Sequence, residues 1–182
     1  MGCLRMDEIK TIQEENPEYN NIKIFIESGT FLGDTVYPLS FFFDRLYTIE
    51  IKTDLHEKAK ETFKKMGITN VSFHLGDSAH VLQKILEEVT QPAVFFLDGH
   101  YSHGITGRGE KDCPLLEELD AVNKYYNEKS IIIVDDYSMF GKNETENWTE
   151  ITDQNVMKCF DPAKIYKVFS NNNRLIILLK KV

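Results

Sequence analysis

Five short apolar stretches, separated by longer amphipathic ones, restrict the folds that this chain can adopt. They are IKIFIE (Ile22 to Glu27), LYTIEI (Leu46 to Ile51), VSFHL (Val71 to Leu75), AVFFLD (Ala93 to Asp98) and SIIIVDD (Ser130 to Asp136). Strands that are apolar over nearly their whole length are typical of a parallel sheet that is covered on both faces. We therefore predict strands at these five stretches, in a sheet with both faces buried.

The stretches between these strands have the residue spacing of amphipathic helices. In TDLHEKAKETFKKMG one apolar stripe consists of Leu55, Ala59, Phe63 and Met66. Gly67 suits the end of that helix. SAHVLQKILEEV and CPLLEELDAVNKYY follow the same pattern, with Pro114 in the first turn of the latter. Strands that alternate with helices predict βαβ units and a doubly wound sheet.

The last segment of the chain has a different pattern. KIYKVFSNNNRLIILLKK contains two strand-like runs separated by residues 170–173, which predicts a hairpin. The predicted fold is therefore α/β: a doubly wound, Rossmann-like, mostly parallel seven-stranded sheet with a C-terminal antiparallel hairpin. A length of 182 residues is consistent with a single domain spanning 1–182.

Charge and cysteine content narrow the class of protein. A net charge of −8 argues against a nucleic-acid partner, since such proteins need a basic surface. No apolar run approaches the roughly 20 residues of a membrane span, so we expect no membrane association. Three widely spaced cysteines, Cys3, Cys113 and Cys159, favour a reducing compartment, and we expect a cytoplasmic location.

Glycines and an acid follow the first predicted strand, where open α/β sheets bind ligands. In FIESGTFLGDT, Glu27, Gly29 and Gly33 form Glu-x-Gly-x-x-x-Gly, which differs from the dinucleotide pattern Gly-x-Gly-x-x-Gly. A pyrophosphate favours free amide groups without an adjacent acid. Glu27 instead suits a cationic ligand, such as the amino end and sulfonium of S-adenosylmethionine (SAM). The alternative is a turn with an incidental acid.

The second and third predicted strands also end on acids. Glu50 follows Glu27 by 23 positions, about where a nucleotide-binding fold places its ribose-binding acid. Folds that bind nicotinamide cofactors use a similar acid, so Glu50 indicates a nucleoside without naming it. Asp77 could accept a hydrogen bond from an exocyclic amine such as that of adenine, or cap the next helix. The two roles are compatible.

Three carboxylates follow the fourth and fifth predicted strands, which are neighbours in a doubly wound sheet. Asp98, Asp135 and Asp136 should therefore meet at one edge of the cleft, where their like charges would repel. A hard divalent cation with oxygen ligands would relieve that repulsion. The alternative is that some of these acids cap helices or pair with Arg108, Lys111 or Arg174.

Two long irregular regions, residues 99–112 and 137–153, flank the same edge of the sheet. These two long loops hold candidate catalytic and acceptor-binding residues. His100 is a candidate general base at neutral pH, or a polar loop residue. The aromatic residues of these loops are a candidate acceptor wall, or ordinary loop packing: Tyr101, Tyr137, Phe140 and Trp148. The glycine-rich stretch Gly104 to Gly109 is a candidate lid over the acceptor.

These motifs resemble those of the class I SAM-dependent methyltransferases over nearly the whole chain. FIESGTFLGDT resembles the first motif of that family, YTIEI the second and HLGDSA the adenine-side motif. FLDGHYS with CPLLEEL, and IIIVDDYSMFG, resemble the metal-dependent sugar O-methyltransferases of macrolide and aminocoumarin biosynthesis. The resemblance implies SAM as cofactor and a divalent metal, Mg²⁺, as the second cofactor.

The resemblance also assigns site residues. The cofactor-binding set that it implies is Glu27, Gly29, Thr30, Gly33, Glu50, Asp77 and Ser78. The implied metal ligands are Asp98, Asp135 and Asp136, and the catalytic residues are His100 and Asp98, with either His100 or a metal-bound carboxylate as the base.

The implied reaction is O-methylation of a small-molecule or glycan acceptor. A sugar or glycan hydroxyl is the first choice of acceptor, and a catechol-like phenol is the second. Two alternatives stay open: a nicotinamide-dependent oxidoreductase, and a nucleoside-cofactor-binding protein without catalysis. Association into homo-oligomers is also left open.

Overall fold

A computed structural model describes residues 2–182, and in that range seven strands form one sheet. The strands are β1 (Ile24–Ser28), β2 (Arg45–Glu50), β3 (Val71–Leu75), β4 (Ala93–Leu97), β5 (Ser130–Val134), β6 (Ile165–Asn171) and β7 (Arg174–Leu179). Their order is β3-β2-β1-β4-β5-β7-β6. The first five are parallel, and β7 pairs antiparallel with both β5 and β6. The predicted α/β fold with its C-terminal hairpin is confirmed.

Helices cover the sheet. The α-helices are α1 (Met6–Glu15), α2 (Val36–Leu39), α3 (Thr53–Lys65), α4 (Ser78–Glu88), α5 (Leu115–Tyr125) and α6 (Asp153–Lys158). Short 3₁₀ helices span Pro17–Tyr19, Tyr137–Met139 and Pro162–Lys164. The sequence patterns predicted α3, α4 and α5 but not α1, α2 or α6. No helix within residues 2–182 is both long enough and apolar enough to cross a membrane.

Two separate apolar clusters explain why the strands are apolar on both faces. Ile26 of β1 belongs to the cluster that contains residues of α4 and α5, whereas Phe25 belongs to the cluster that contains residues of α1 and α3. Successive strand side chains point to opposite faces, so a sheet that is covered twice buries both sets. In β1, β4 and β5 every residue is buried.

The strand order places a crevice between β1 and β4. The chain leaves β1 toward β2 on one side, and β4 returns to pair with the other side of β1, with Ser28 opposite Leu97. Ligands of open α/β sheets bind at such a switch point, outside the carboxyl ends of the strands. Asp98, Asp135 and Asp136 follow the last residues of β4 and β5, so these acids lie in the loops at that edge.

Candidate functional site

A cavity opens at the carboxyl ends of β1 to β4, and we call it the strand-end cavity. Its empty space, including the solvent-filled opening, amounts to about 640 Å³. Of the residues predicted to bind the cofactor, four line it: Gly29, Glu50, Asp77 and Ser78. Two residues predicted to be catalytic, Asp98 and His100, line it as well. The structure therefore brings most of the predicted site residues to one cavity.

Gly29 is required by the close approach of two loops. Its φ is +88°, in the left-handed region that side chains disfavour. A Cβ at this position would lie 2.3 Å from the carbonyl oxygen of Asp98. The glycine thus allows the turn after β1 to contact the turn after β4 beside the strand-end cavity.

Glu27, Thr30 and Gly33 do not lie among the residues that line the strand-end cavity. Glu27 is 1% exposed, and its carboxylate accepts a hydrogen bond from the Thr48 hydroxyl at 2.8 Å. Burial raises the pKa of Glu27 well above its ordinary value, although the Thr48 hydrogen bond opposes the rise. Thr30 is also hydrogen-bonded to Thr48. The side chains of Glu27 and Thr30 are therefore buried next to β2, and their predicted contacts with a cofactor stay predictions.

The carboxylate of Glu50 is fixed by backbone amides at the end of β2. One oxygen accepts from the Phe31 amide at 2.8 Å, and the other accepts from the Lys52 amide at 2.9 Å. Phe31 has a φ of +49°, which is uncommon for an aromatic residue. Each carboxylate oxygen has two lone pairs, so acceptor capacity remains for ribose hydroxyls.

Asp77 caps α4, as one of its two predicted roles required. Its Oδ1 accepts from the Ala79 amide at 3.0 Å. Its Oδ2 faces the loop that follows β4 and accepts a long hydrogen bond, 3.4 Å, from the Glu110 amide. The contact with adenine stays a prediction.

The glycine-rich stretch Gly104 to Gly109 lies against the strand-end cavity. Gly107 and Gly109 line the cavity, and the Lys52 ammonium donates to the Ile105 carbonyl at 2.8 Å. A Cβ on Gly109 would lie 2.3 Å from Asp77 Oδ2. This stretch therefore closes on the Asp77 side of the cavity, and its predicted role as a lid over the acceptor stays a prediction.

Asp98, His100 and Asp136 form a group that we call the carboxylate–histidine cluster. One ligand atom from each lies within 4.8 Å of the other two. His100 is between the acids, with Nδ1 3.4 Å from Asp98 Oδ1 and Nε2 3.5 Å from Asp136 Oδ2. The Ser102 hydroxyl is 2.9 Å from His100 Nε2. His100 thus joins two of the three predicted metal ligands.

Asp135 is not part of that cluster. Its Oδ1 accepts a hydrogen bond from Arg174 Nε at 3.0 Å, and Arg174 also pairs with Glu8 of α1. This contact is one of the charge pairs that the sequence left open. The two adjacent aspartates therefore have different contacts: Asp136 belongs to the carboxylate–histidine cluster, and Asp135 pairs with Arg174. The metal-ligand role of Asp135 stays a prediction.

Burial and charge act in opposite directions on the ionisable groups of the carboxylate–histidine cluster. Burial raises the pKa of Asp98 more than the contact with His100 lowers it. Burial lowers the pKa of His100, but the hydrogen bond to Asp98 and the charges of Asp98 and Asp136 outweigh that effect, so the pKa of His100 is raised. A histidine oriented by a buried acid suits proton transfer.

One aromatic residue of the two long loops, Trp148, packs against His100. Trp148 is buried and packs edge-on against the His100 ring, with ring centroids 5.0 Å apart. Tyr137 packs against Phe140, and Tyr101 packs against the ring of His103. Trp148 thus restricts the orientation of His100, whereas the acceptor role of these rings stays a prediction.

Glu118 of α5 is a buried acid that the sequence analysis missed, and it lines a small pocket together with Gly99 and His100. It is 1% exposed, and within residues 2–182 neither its Oε1 nor the hydroxyl of Ser28 makes a hydrogen bond of normal geometry. Burial raises the pKa of Glu118 to about 7, although the nearby hydroxyls of Ser78 and Ser28 oppose the rise. A signal was present: Glu118 falls within the apolar stripe that contains Leu115 and Leu119.

Comparisons with known proteins detect similarity of structure alone. No protein-family model matches the chain, and no curated protein sequence matches it. The O-methyltransferase TomG from Streptomyces achromogenes, involved in tomaymycin synthesis and solved with SAM, is 15% identical with a TM-score of 0.64, over 99% of this chain and 82% of TomG. SMU.1697c from Streptococcus mutans, solved with SAH, is 16% identical with a TM-score of 0.59, over 98% of this chain and 100% of that one.

A third structure has a different kind of substrate. The rRNA methylase from Streptococcus thermophilus is 13% identical with a TM-score of 0.55, and the match covers 96% of both chains. This chain has the fold of the SAM-dependent methyltransferases. The comparisons therefore do not favour the nicotinamide-dependent alternative.

Proposed function

We propose that this protein is a SAM-dependent O-methyltransferase in which a divalent cation, Mg²⁺, assists transfer to a sugar or glycan hydroxyl. A catechol-like phenol is the second choice of acceptor. The observation that carries the proposal is a shared cavity: Glu50 and Asp77 line the same space as Asp98 and His100. The groups that we propose bind the nucleoside thus adjoin groups that suit proton transfer and cation binding.

The residues around the strand-end cavity match the parts of SAM. Glu50, held by two amides, would accept hydrogen bonds from the ribose hydroxyls. Asp77 and Ser78 would contact adenine, and Gly29 would allow the methionine end to approach the backbone. Glu27, Thr30 and Gly33 would support this turn, since Glu27 and Thr30 are hydrogen-bonded to Thr48 of β2.

The donor set of the carboxylate–histidine cluster fits a hard cation. Asp98 and Asp136 offer carboxylate oxygens, the ligand type that Mg²⁺ prefers. We propose these two acids as ligands, and Asp135 as the third, with its carboxylate shared with Arg174. A bound cation would supply positive charge that makes an acceptor hydroxyl more acidic.

Proton removal is assigned to His100. Asp98 lies next to Nδ1 and orients the ring, which leaves Nε2 on the side of Ser102 and Asp136. In the reaction the acceptor oxygen attacks the methyl carbon, the new C–O bond forms as the C–S bond breaks, and the hydroxyl proton passes to His100 Nε2. Holding the two reactants in line supplies much of the rate enhancement in such transfers.

A methyl-transfer assay with labelled SAM tests the proposal on a panel of sugars, glycans and catechols. We expect O-methylated product in the presence of Mg²⁺, its loss in excess EDTA and its return when Mg²⁺ is restored. Asp136→Asn should lose activity at least tenfold and keep SAM binding, because the carboxylate is placed in the cation site rather than in the nucleoside site.

Asp44→Asn is a matched control, since Asp44 is exposed just before the amino end of β2. It removes one acid without touching the strand-end cavity. Absence of SAM binding by calorimetry would refute the cofactor assignment. Full activity in excess EDTA would refute the cation, and product without any O-methyl group would refute the acceptor chemistry.

A further inference from the structure

The C-terminal hairpin supplies a different partner to each of the two adjacent aspartates. The β5–β7 pairing places Val134 opposite Leu175, and continuing the antiparallel register by one and two residues places Asp135 opposite Arg174 and Asp136 opposite Asn173. Both contacts occur: Arg174 Nε donates to Asp135 Oδ1 at 3.0 Å, and Asn173 Nδ2 lies 3.4 Å from Asp136 Oδ1. The hairpin turn therefore faces the proposed cation site.

Asn173 also holds the backbone that follows Asp136. Its carbonyl oxygen accepts from the Tyr137 amide at 2.9 Å, and its side-chain oxygen accepts from the Ser138 amide at 2.7 Å. These contacts start the 3₁₀ helix Tyr137–Met139 directly after the aspartate. Asn173 thus contacts three consecutive residues, 136–138, which lie 35 to 37 positions earlier in the chain.

Asp136 has a backbone conformation that needs such support. Its φ is +51° and its ψ is +41°, in the left-handed region that residues with a Cβ disfavour. Strained conformations of this kind persist only where the surrounding contacts enforce them, and they concentrate at functional sites. This conformation directs the Asp136 carboxylate to within 3.5 Å of His100 Nε2.

The turn itself does not require a side chain at position 173. Asn172 and Asn173 have φ values of +50° and +60°, as the two central residues of a type I′ hairpin turn do. Asn-Gly is the preferred pair for that turn. A glycine at position 173 would therefore serve the hairpin at least as well. Within residues 2–182 the Asn173 side chain makes its hydrogen bonds with Asp136 and Ser138, and these explain the asparagine.

The two partners also differ in charge. Arg174 offsets the charge of Asp135, whereas Asn173 is neutral and adds no positive charge next to Asp136. We propose that Asn173 is a positioning residue, whose side chain orients the Asp136 carboxylate toward the carboxylate–histidine cluster and thereby strengthens the binding of a divalent cation. The inference rests on the proposed function, because it assumes that this cluster binds the cation.

Asn173→Gly tests the inference, since it keeps the positive φ and the carbonyl contact and removes only the side chain. Asn172→Gly is the matched control in the same turn, because within residues 2–182 the Asn172 side chain makes no hydrogen bond with Asp136 or Ser138. Mn²⁺ and Mg²⁺ affinities are measured by calorimetry, together with SAM affinity and the melting temperature. We expect Asn173→Gly to weaken cation binding about 10-fold or more, as loss of a group that orients a ligand does.

SAM affinity should stay unchanged in both variants, and Asn172→Gly should bind the cation like the wild type. In turnover, Asn173→Gly should need more Mg²⁺ for half-maximal rate and approach the wild-type rate at saturation. Equal cation affinity in wild type and Asn173→Gly would overturn the positioning role alone. A wild type that binds no divalent cation would overturn this inference together with the proposed cation.

Discussion

The buried carboxyl of Glu118 makes a quantitative prediction about stability and pH. Burial raises its pKa from the usual 4.5 to about 7 in the folded chain. Below pH 4.5 the group is protonated in both the folded and the unfolded chain, so it carries no cost. Above pH 4.5 the unfolded chain loses the proton first, and folding becomes less favourable as the pH rises toward the folded-state value.

The magnitude follows from the size of that shift. Each unit of pKa difference corresponds to about 1.4 kcal/mol, so a rise from 4.5 to about 7 destabilises the fold by about 3 kcal/mol at pH 8. Glu118 is 1% exposed, so solvent screening does not reduce this figure much. Glu118→Gln has nearly the same shape and no charge at any pH. The variant should therefore gain about 3 kcal/mol relative to wild type between pH 4.5 and pH 8.

Urea unfolding followed by circular dichroism at pH 5, 6, 7 and 8 measures the difference between variant and wild type. The difference is the useful quantity, because the pH dependence of all other groups cancels in it. Asp120→Asn, an exposed position on α5, serves as the control and should show a nearly constant difference. If the difference for Glu118→Gln varies by less than about 0.5 kcal/mol from pH 5 to pH 8, burial does not raise the pKa of Glu118 and the reasoning is refuted.

Two further predictions concern the strand-end cavity. Glu50→Gln should weaken SAM binding about tenfold or more, because a hydrogen bond to a charged acceptor contributes about 1.5 to 3 kcal/mol, and unchanged affinity in calorimetry would remove the ribose role. Gly109→Ala should also weaken SAM binding and speed its release in stopped-flow measurements, because the new Cβ would lie 2.3 Å from Asp77 Oδ2 and push the loop away from the cavity. Wild-type release rates in that variant would show that the loop does not cover the cofactor.

Most of the sheet could be predicted from the sequence, because burial on both faces leaves a direct pattern. Near-continuous apolar runs marked all five parallel strands, and three asparagines marked the hairpin turn. The elements that were missed are short or contribute only part of one face to the core. In α1, for example, the buried apolar residues are Ile9 and Ile12 while most neighbours are polar, so the apolar stripe is short.

The sequence predicted which acids lie at the same edge of the sheet, because the direction of the strands determines that. Parallel strands bring their carboxyl ends to one edge, so acids that follow such strands must gather there, as Glu50, Asp77 and Asp98 do. Contacts within that edge could not be predicted. The sequence did not predict that the Glu27 carboxylate accepts a hydrogen bond from the Thr48 hydroxyl of the neighbouring strand. Glu118 was not singled out from the sequence, and the structure shows that it is buried.

The sequence by itself therefore determined the fold class, the edge of the sheet that holds the candidate site and the residue types gathered there. Only the tertiary structure decided which side chain contacts each of the two adjacent carboxylates. Asp135 pairs with Arg174 and Asp136 with Asn173 because β7 inserts between β5 and β6 in one register. Arg174 lies 39 positions after Asp135, and Asn173 lies 37 positions after Asp136. Strand order and register bring these residues together, and local sequence patterns do not encode either one.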